Sequence, residues 1–369
     1  MPHEFLDYAT GRPVAAGLVN GPPAGPRRWL APALVDVQVN GYAGVDFQRD
    51  DLDEAALRHA AVALTRDGCG VFFAAIITAS WPAMLARVRR LAGFVGRVPG
   101  PAGIHVEGPW LSERPGFCGA HEPAWMRDPS PGQLQELLEA ATSVPLLLTL
   151  APERPGALEV IHAAVRAGAV VSLGHTDAAT GQLRAAVAAG ATGFTHLGNG
   201  CPEQLDRNDN ILWRALDTPG LACALIPDGI HLPPPVFRGL HRALGSGRAW
   251  FTTDAMAAAG APPGEFTLGA LRLAVGADGV VRQPGRPNFA GSALRPIEGV
   301  RRAAAMLGVS WRAVWDGFSR VPARLVTLPD TWPPQPGQPV SVVTEDEGGA
   351  VAGIFPARLE SGTGRPPFP

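Results

Sequence analysis

The sequence predicts an α/β fold, a (β/α)8 barrel of the TIM type, and three observations lead to this prediction. Eight short apolar runs bounded by turn residues are typical of buried parallel strands. Segments with helical periodicity separate most of these runs. Polar residues stand where several runs end, and the carboxyl ends of the strands are where such barrels carry their chemistry.

The eight predicted strands extend over about 220 residues, a length typical of one barrel. They lie at 33–39, 70–78, 102–107, 145–151, 169–174, 192–197, 221–228 and 249–254. Helices are predicted to begin at Asp53 and Trp81, and two more are predicted over 156–167 and 178–189. The connection between the sixth and seventh strands, at 208–217, has the weakest helical pattern.

The two ends of the chain differ from this pattern. Residues 1–30 and 325–360 are rich in proline and glycine, and the second segment contains a strand-like VSVV run at 340–343. Neither can build a core alone, so we expect them to pair as a small β domain beside a barrel domain of residues 31–324.

Three further segments follow the last predicted barrel strand. A hairpin is predicted over 266–281 with its turn at 276–279, and helices are predicted over 295–307 and 311–323. The final residues, 361–369, are predicted to be a flexible tail.

The composition excludes several classes of protein. A formal net charge of -2 over 369 residues predicts no general attraction to nucleic acid or to an anionic membrane. Neither a signal peptide nor an apolar stretch of ~18 residues is found, so we expect a cytoplasmic protein. The four cysteines lie far apart without a CxxC pair, which favours reduced, structural thiols.

All 31 basic residues are arginine, since the sequence contains no lysine. Genome composition is a sufficient explanation of this bias. Whatever its origin, it excludes a P-loop lysine, a Schiff-base lysine and a carbamylated lysine that bridges two metals.

Three residues have the type and position expected of metal ligands. Glu107, His175 and His196 end the third, fifth and sixth predicted strands. Two imidazoles and a carboxylate are a ligand set that catalytic zinc uses, with a further position open to water. A single histidine would more simply be structural, but three such residues at barrel strand ends favour a metal site.

Asp254 ends the eighth strand and is the candidate catalytic general base, which would then act as acid toward the leaving group. The alternative is that it caps the following segment. His121 and His231 lie in predicted loops, where they would contact substrate or simply face solvent. Glu153, after the fourth strand, is the reserve candidate for proton transfer.

Seven short motifs in order resemble N-acetylglucosamine-6-phosphate deacetylase of the amidohydrolase superfamily. They are DVQVNG at 36–41, HVEGPW at 105–110, GAHEP at 119–123, GHT at 174–176, THL at 195–197, DGIH at 228–231 and TDAM at 253–256. The resemblance covers about residues 33–295, and it implies a barrel with a small β-sandwich formed by both termini, a homodimer, and hydrolysis of an N-acetyl group on a small amino sugar.

The resemblance also implies roles for individual residues. Glu107, His175 and His196 match the metal ligands, and Asp254 matches the catalytic acid and base. The implied substrate contacts, with His231 near the scissile carbonyl, are Ala120, His121, Asn199, Gly200, His231, Phe289, Ala290 and Gly291. Arg207 is added to them from the charge of its side chain, not from the resemblance.

The first strand bears on the number of metals. Many amidohydrolases carry His-x-His there, whereas this chain has Gln38 and Asn40. Amides are weak ligands for zinc, so one divalent metal per chain is expected. Zinc suits the ligand set best, although iron, manganese or cobalt would also fit it.

The chain departs from the family at the loop that meets the sugar phosphate. It has NGCP at 199–202 and DRNDN at 206–210 in place of Asn-Ala-Met and a nearby Arg-Glu-Pro-Gly stretch. Arg207, rather than Arg214, is the predicted phosphate contact, while Asp206 and Asp209 would suit sugar hydroxyls of an unphosphorylated substrate. Two alternatives therefore stand: a deacylase for a different or unphosphorylated N-acyl substrate, and a metal-binding barrel without catalysis, which Asp254 argues against.

Overall fold

The structure is a computed structural model that describes residues 3–19, 27–285, 290–330 and 332–360. The predicted flexible tail, 361–369, lies outside the described residues, and so does Phe289. Within these ranges, no helix combines the length and the apolar character needed to cross a bilayer.

The strands fall into a barrel, a terminal sheet and two small antiparallel units. In chain order they are β1 (His3–Asp7), β2 (Pro13–Ala16), β3 (Leu18–Val19), β4 (Arg28–Pro32), β5 (Val35–Val39), β6 (Gly41–Tyr42), β7 (Val45–Asp46), β8 (Val71–Ile77), β9 (Pro101–Glu107), β10 (Leu146–Leu150), β11 (Val170–Leu173), β12 (Gly193–Phe194), β13 (Ala222–Leu225), β14 (Ala249–Phe251), β15 (Gly264–Leu268), β16 (Leu271–Val275), β17 (Val281–Arg282), β18 (Pro339–Glu345) and β19 (Val351–Leu359).

The helices alternate with the barrel strands and continue after the last of them. They are α1 (Glu54–Arg66), α2 (Trp81–Ala92), α3 (Pro131–Ala141), α4 (Ala157–Arg166), α5 (Thr180–Ala188), α6 (Ile211–Leu216), α7 (Pro234–Leu244), α8 (Pro296–Leu307), α9 (Trp311–Phe318) and α10 (Arg320–Leu325).

Helix α1 shows how the sequence specifies these helices. The Asp53 side chain accepts a hydrogen bond from the backbone N–H of Ala56 and so caps the first turn. The residues that it buries are Leu57, Ala60, Ala61 and Leu64, one helical face at the spacing i, i+3, i+4 and i+7. That face packs into the main core together with the barrel strands.

Eight parallel strands form the barrel in the order β5, β8, β9, β10, β11, β12, β13, β14. Every one of the predicted barrel strands is present, and the weak helical pattern between the sixth and seventh strands is α6. The strands are buried almost throughout, as expected when helices cover a parallel sheet. Their carboxyl ends therefore meet at one end of the barrel, which confirms the predicted fold class.

The barrel closes between its first and last strands by few backbone contacts. Val39 and Ala255 form a single parallel bridge, and the N–H of Asn40 donates to the carbonyl of Ala255 at 2.7 Å. Elsewhere in the barrel, neighbouring strands share regular ladders. The junction between β5 and β14, here called the seam, consequently depends on side chains as well.

The two termini build one sheet of six strands in the order β2, β1, β4, β18, β19, β3. The strand β4 pairs with β1 on one side and with β18 on the other, so N-terminal and C-terminal strands form one continuous sheet in the described residues. Its own apolar cluster includes Phe5, Leu30 and Val342. The strand β4 ends at Pro32, beyond the predicted domain boundary at residue 30.

Two elements after the barrel differ from the sequence-based expectation. The predicted hairpin over 266–281 is part of a three-stranded meander, because a second turn separates β15 from β16. The predicted helix over 311–323 is broken at Ser319 into α9 and α10. Pro322 lacks an N–H and would clash with a preceding carbonyl in a helix interior, so it lies in the first turn of a new helix.

Candidate active site

Three side chains from different barrel strands meet at the carboxyl end of the barrel. Glu107 ends β9, and His175 and His196 follow β11 and β12. All three are buried, and one ligand atom from each lies within 4.8 Å of the others. Nε2 of His196 is 2.9 Å from Oε1 of Glu107, and Nε2 of His175 is 3.2 Å from the same oxygen. Two nitrogens and a carboxylate oxygen at this spacing fit a divalent cation.

The backbone at this end of the barrel is strained where the side chains turn inward. His175, His196 and Asp254 have φ values of 48°, 27° and 50°, in the left-handed region that residues with a Cβ rarely adopt. Such conformations persist only where the surroundings impose them, and they concentrate at functional sites.

The ring of His175 is fixed by two loops. Its Nδ1 is 2.8 Å from the carbonyl oxygen of Phe117, which can only accept, so Nδ1 carries a proton and Nε2 is the nitrogen that faces Glu107. Gly119 and Gly200 leave room for the ring, since a Cβ at either position would stand 2.8 Å from it. A carbonyl that holds the far nitrogen in this way is typical of metal-bound histidines.

The charges of the cluster are interdependent. Burial opposes ionisation of Glu107, but hydrogen bonds from the two imidazoles hold the pKa of this carboxyl well below its ordinary value. Burial likewise opposes protonation of His196, yet the Glu107 carboxylate raises the pKa of that imidazole. The site therefore holds one carboxylate whose charge needs a cationic partner, which a proton or a metal can supply.

Asp254 stands beside this cluster with its carboxyl buried. Burial raises the pKa of Asp254 to about 7, and the charges of His196 and Glu107 both affect it. Oδ1 accepts a hydrogen bond from Nδ2 of Asn40 at 2.8 Å. A buried carboxyl with a pKa near neutrality has the acidity suited to general acid and base catalysis.

Gln38 and Asn40 occupy the end of the first barrel strand with their amides facing carboxylates. Nε2 of Gln38 lies 3.2 Å from Oε1 of Glu107, and Nδ2 of Asn40 reaches Asp254. Because carboxylates only accept, the amide NH2 groups must point at them. Both amides therefore present hydrogen-bond donors, not oxygen lone pairs, to these carboxylates.

His121 lies in a loop, as predicted, and is buried against the cluster of Glu107, His175 and His196. Its Nδ1 accepts from the backbone N–H of Thr78 at 3.3 Å, so Nε2 carries the proton and lies 3.7 Å from Oε2 of Glu107, too far for a hydrogen bond. Burial, reinforced by His175, lowers the pKa of His121 to about 3, which keeps the ring neutral.

The side chain of His231 is oriented by Asp228. Nδ1 of His231 lies 2.6 Å from Oδ2 of Asp228, while Oδ1 of Asp228 accepts from the backbone N–H groups of Ile230 and His231. Burial opposes ionisation of Asp228, but these hydrogen bonds lower the pKa of its carboxyl. Asp228 thus fixes which nitrogen of His231 faces away from it.

The loop where the chain departs from the family has its acidic residues already engaged. Oδ1 of Asp206 accepts from the backbone N–H groups of Asn208 and Asp209, and Asp209 pairs with Arg214 at 2.6 Å. Arg214 also pairs with Asp177. Arg207 is exposed, and no ion pair to its guanidinium is found in the described part of the chain. Arg207 is therefore the more available cation of the two.

The remaining predicted contacts are placed as follows. Ala120 precedes His121 and packs on the apolar cluster that also contains Ala290. Gly291 has a φ of 66°, and a Cβ there would stand 3.2 Å from the carbonyl oxygen of Asp254. Asn199, which is half-buried, donates its N–H to the carbonyl of His196 at 2.8 Å. Gly291 and Asn199 thus lie next to Asp254 and His196 in space. The substrate-binding roles of all four residues stay predictions.

Sequence reasoning missed several residues of the site. Thr78 directly follows the second barrel strand, so the strand-end rule that found the other candidates would have found it too. The carbonyl of Phe117, the space left by Gly119 and the pairing of Asp228 with His231 carry no comparable signal. Glu153, the reserve candidate, accepts from the hydroxyl of Thr176 and from the N–H of Asp177, which gives it a structural role.

Comparisons with known proteins show a consistent set of relatives, although no family model matches the chain. N-acetylglucosamine-6-phosphate deacetylase of Vibrio furnissii is 32% identical over 304 residues, 80% of this chain and 73% of the relative. N-acetylgalactosamine-6-phosphate deacetylase of Escherichia coli O157:H7 is 32% identical over 327 residues, 86% of this chain and 84% of the relative.

A solved structure gives the same result. A variant of N-acetyl-D-glucosamine-6-phosphate deacetylase from Mycobacterium smegmatis, in complex with N-acetyl-D-glucosamine-6-phosphate, superposes with a TM-score of 0.81 at 32% identity and covers 93% of each chain. Given relatives at this identity over most of their length, the chain is a hydrolase that belongs to the N-acetylglucosamine-6-phosphate deacetylase family of the amidohydrolase superfamily.

Proposed function

We propose that this protein hydrolyses the N-acetyl amide of a 6-phosphorylated amino sugar, N-acetylglucosamine-6-phosphate first, and releases acetate. The observation that carries the proposal is the buried carboxyl of Asp254 beside the cluster of Glu107, His175 and His196. A binding protein has no use for a proton-transfer group at that position, whereas amide hydrolysis needs one both to activate water and to protonate the leaving amine.

One divalent metal per chain, zinc by ligand type, completes the proposed site. Glu107, His175 and His196 would hold it, and when bound it supplies a Lewis acid that polarises the acyl carbonyl and makes water more acidic. Iron, manganese and cobalt suit the same donors. The amides of Gln38 and Asn40 support a single metal, because their NH2 groups face the carboxylates.

The protein's own groups then have separate tasks. Asp254 takes the proton of the attacking water at Oδ2, since Oδ1 is engaged by Asn40, and returns it to the amide nitrogen as the C–N bond breaks. His231, oriented by Asp228, is suited to the developing negative charge on the acyl oxygen. His121 stays neutral and offers its Nε2–H to the substrate.

The proposed substrate has two parts to assign, the group that binds the phosphate and the configuration of the sugar. Arg207 is the cation proposed to meet the phosphate, since Arg214 is paired with two aspartates. A second candidate substrate is N-acetylgalactosamine-6-phosphate, because the N-acetylgalactosamine-6-phosphate deacetylase of Escherichia coli O157:H7 has the same identity to this chain, 32%, as the N-acetylglucosamine-6-phosphate deacetylase of Vibrio furnissii. The two sugars differ only in the configuration of one hydroxyl.

The test is the release of acetate from three substrates by the metal-loaded protein and by Arg207→Ala. The substrates are N-acetylglucosamine-6-phosphate, N-acetylgalactosamine-6-phosphate and N-acetylglucosamine. We expect a preference for a phosphorylated sugar in kcat/KM that falls in the variant. Equal rates with and without phosphate, unchanged by the substitution, would instead identify an unphosphorylated N-acyl substrate, and no acetate from any sugar would support a non-catalytic barrel.

The family resemblance also supports a homodimer and a cytoplasmic enzyme as proposals. Light scattering of the purified protein gives its molar mass and so tests the homodimer.

A further inference from the structure

A buried carboxylate on the first barrel strand has no part in the chemistry proposed above. Asp36 lies in β5 and faces the seam with β14. Its Oδ1 accepts from the hydroxyl of Thr252 at 2.6 Å, and its Oδ2 accepts from the hydroxyl of Thr253 at 2.5 Å and from the Thr253 N–H at 3.1 Å. Burying a carboxylate costs free energy unless hydrogen bonds compensate for the lost water, so loss of any of these donors would destabilise the site.

The two hydroxyls connect Asp36 to the backbone around Asp254. The Thr253 hydroxyl accepts from the N–H of Ala255 at 3.1 Å, and the Thr252 hydroxyl accepts from the N–H of Asp254 at 3.4 Å. Asp36 therefore sets the direction of both hydroxyls, since the oxygen of each accepts a backbone N–H and its single proton is directed at an oxygen of Asp36. The lone pairs of the two hydroxyl oxygens then accept from the backbone N–H groups of Asp254 and Ala255, on either side of the Asp254 side chain.

This network lies where the backbone is strained and the barrel ladder is sparse. Asp254 has a φ of 50°, a left-handed conformation that persists only where the surrounding structure imposes it. The seam offers one backbone bridge, between Val39 and Ala255. Side-chain hydrogen bonds to Asp36 thus supply the connection that holds the segment after β14 in place.

We propose that Asp36, acting through Thr252 and Thr253, is a positioning residue that fixes the strained backbone at Asp254 and so aims its carboxylate at the reacting water. The inference rests on the catalytic role proposed for Asp254. It predicts that loss of a hydroxyl in this network lowers kcat by a factor on the order of 10 to 100, because small misplacement of a catalytic group has effects of that size. Metal content and KM should change little, since no ligand of the metal cluster is touched.

The experiment compares Thr253→Val, which removes the hydroxyl at constant shape, with Thr253→Ser, which keeps it. Thr252→Val serves as a second variant of the network if Thr253→Val folds poorly. The control is Thr267→Val, because the hydroxyl of the exposed Thr267 donates to another buried carboxylate, Asp46, at 3.0 Å and lies outside the network. We expect the hydroxyl-deleting network variants alone to lose kcat, with Thr253→Ser and Thr267→Val close to the natural protein.

A double-mutant cycle with Asp254→Asn separates positioning from general loss of structure. If Thr253→Val acts through Asp254, it should lower kcat strongly in the natural background and hardly at all when Asp254 is already Asn. An equal loss in both backgrounds, unchanged kcat in both valine variants, or loss of the metal would overturn the inference. If Asp254→Asn itself turns over normally, the proposed function of Asp254 fails; if only the valine variants are normal, the inference about Asp36 fails alone.

Discussion

At the scale of single residues, Asp254 makes the sharpest prediction. Asp254→Asn keeps the shape and the contact position of the side chain but cannot accept a proton, so kcat should fall by a factor on the order of 10² to 10⁴ with metal content intact. Steady-state kinetics with elemental analysis measure both quantities. Near-normal turnover would refute the assignment.

The acidity of Asp254 adds a pH dependence to the same prediction. Burial raises its pKa to about 7, and a bound cation would lower that value. Only the carboxylate accepts the water proton, so kcat should decline as the pH falls through the pKa, at or below about 7. A profile with no acidic decline would contradict the role of Asp254 as the base.

Gly200 offers a second test at this scale, because it borders the ring of His175. A Cβ there would lie 2.8 Å from Nδ1, so Gly200→Ala should displace the ring and weaken metal binding by about 10-fold or more. The control is Gly96→Ala, which also replaces a glycine of positive φ, 84°, but meets nothing within 4 Å. Competition with a chelator gives the two affinities, and equal values would show that Gly200 does not constrain His175.

At the scale of elements, the helix caps provide a matched pair. The Asp53 side chain caps α1 with a hydrogen bond of 2.7 Å, whereas Ser80, at the same position of α2, makes no capping hydrogen bond. Asp53→Ala should therefore lower the free energy of unfolding, measured by urea titration, by about 1 kcal/mol. Ser80→Ala should change that free energy little. A larger effect at Ser80 than at Asp53 would contradict this account of the helix starts.

The elements also show what the sequence could and could not reveal. Glu107, His175, His196 and Asp254 could be singled out because each follows an apolar run, and strand character can be read locally. Asp36 could not, because its partner Thr252 lies 216 positions away and becomes a neighbour only when the barrel closes.

Local conformation set a second limit on prediction. A positive φ at His175 or Asp254 is imposed by surroundings that the residue type does not encode. The break at Ser319 was predictable in principle, since Pro322 marks it, whereas the extra turn before β16 lacks a signal as strong.

At the scale of the whole molecule, the proposed metal would join three strands that are distant in sequence. Glu107, His175 and His196 come from β9, β11 and β12, and a ligand that binds only the folded chain stabilises it by mass action. Without a cation, Glu107 keeps its charge through hydrogen bonds from the two imidazoles and from the Gln38 amide, so the apo protein holds the same buried carboxylate with weaker compensation.

Removal of the metal should therefore lower the melting temperature by several degrees, since free metal at 100 times its Kd contributes about 2.7 kcal/mol. Thermal scans after chelation, and again after stepwise addition of zinc, measure the change. We expect full recovery at one equivalent per chain, because amides stand where a second metal would need ligands. His196→Ala leaves two protein ligands and should show no recovery. Recovery that requires two equivalents would overturn the single-metal site, and a melting temperature indifferent to both chelator and zinc would mean that the cluster closes through its own hydrogen bonds without a metal.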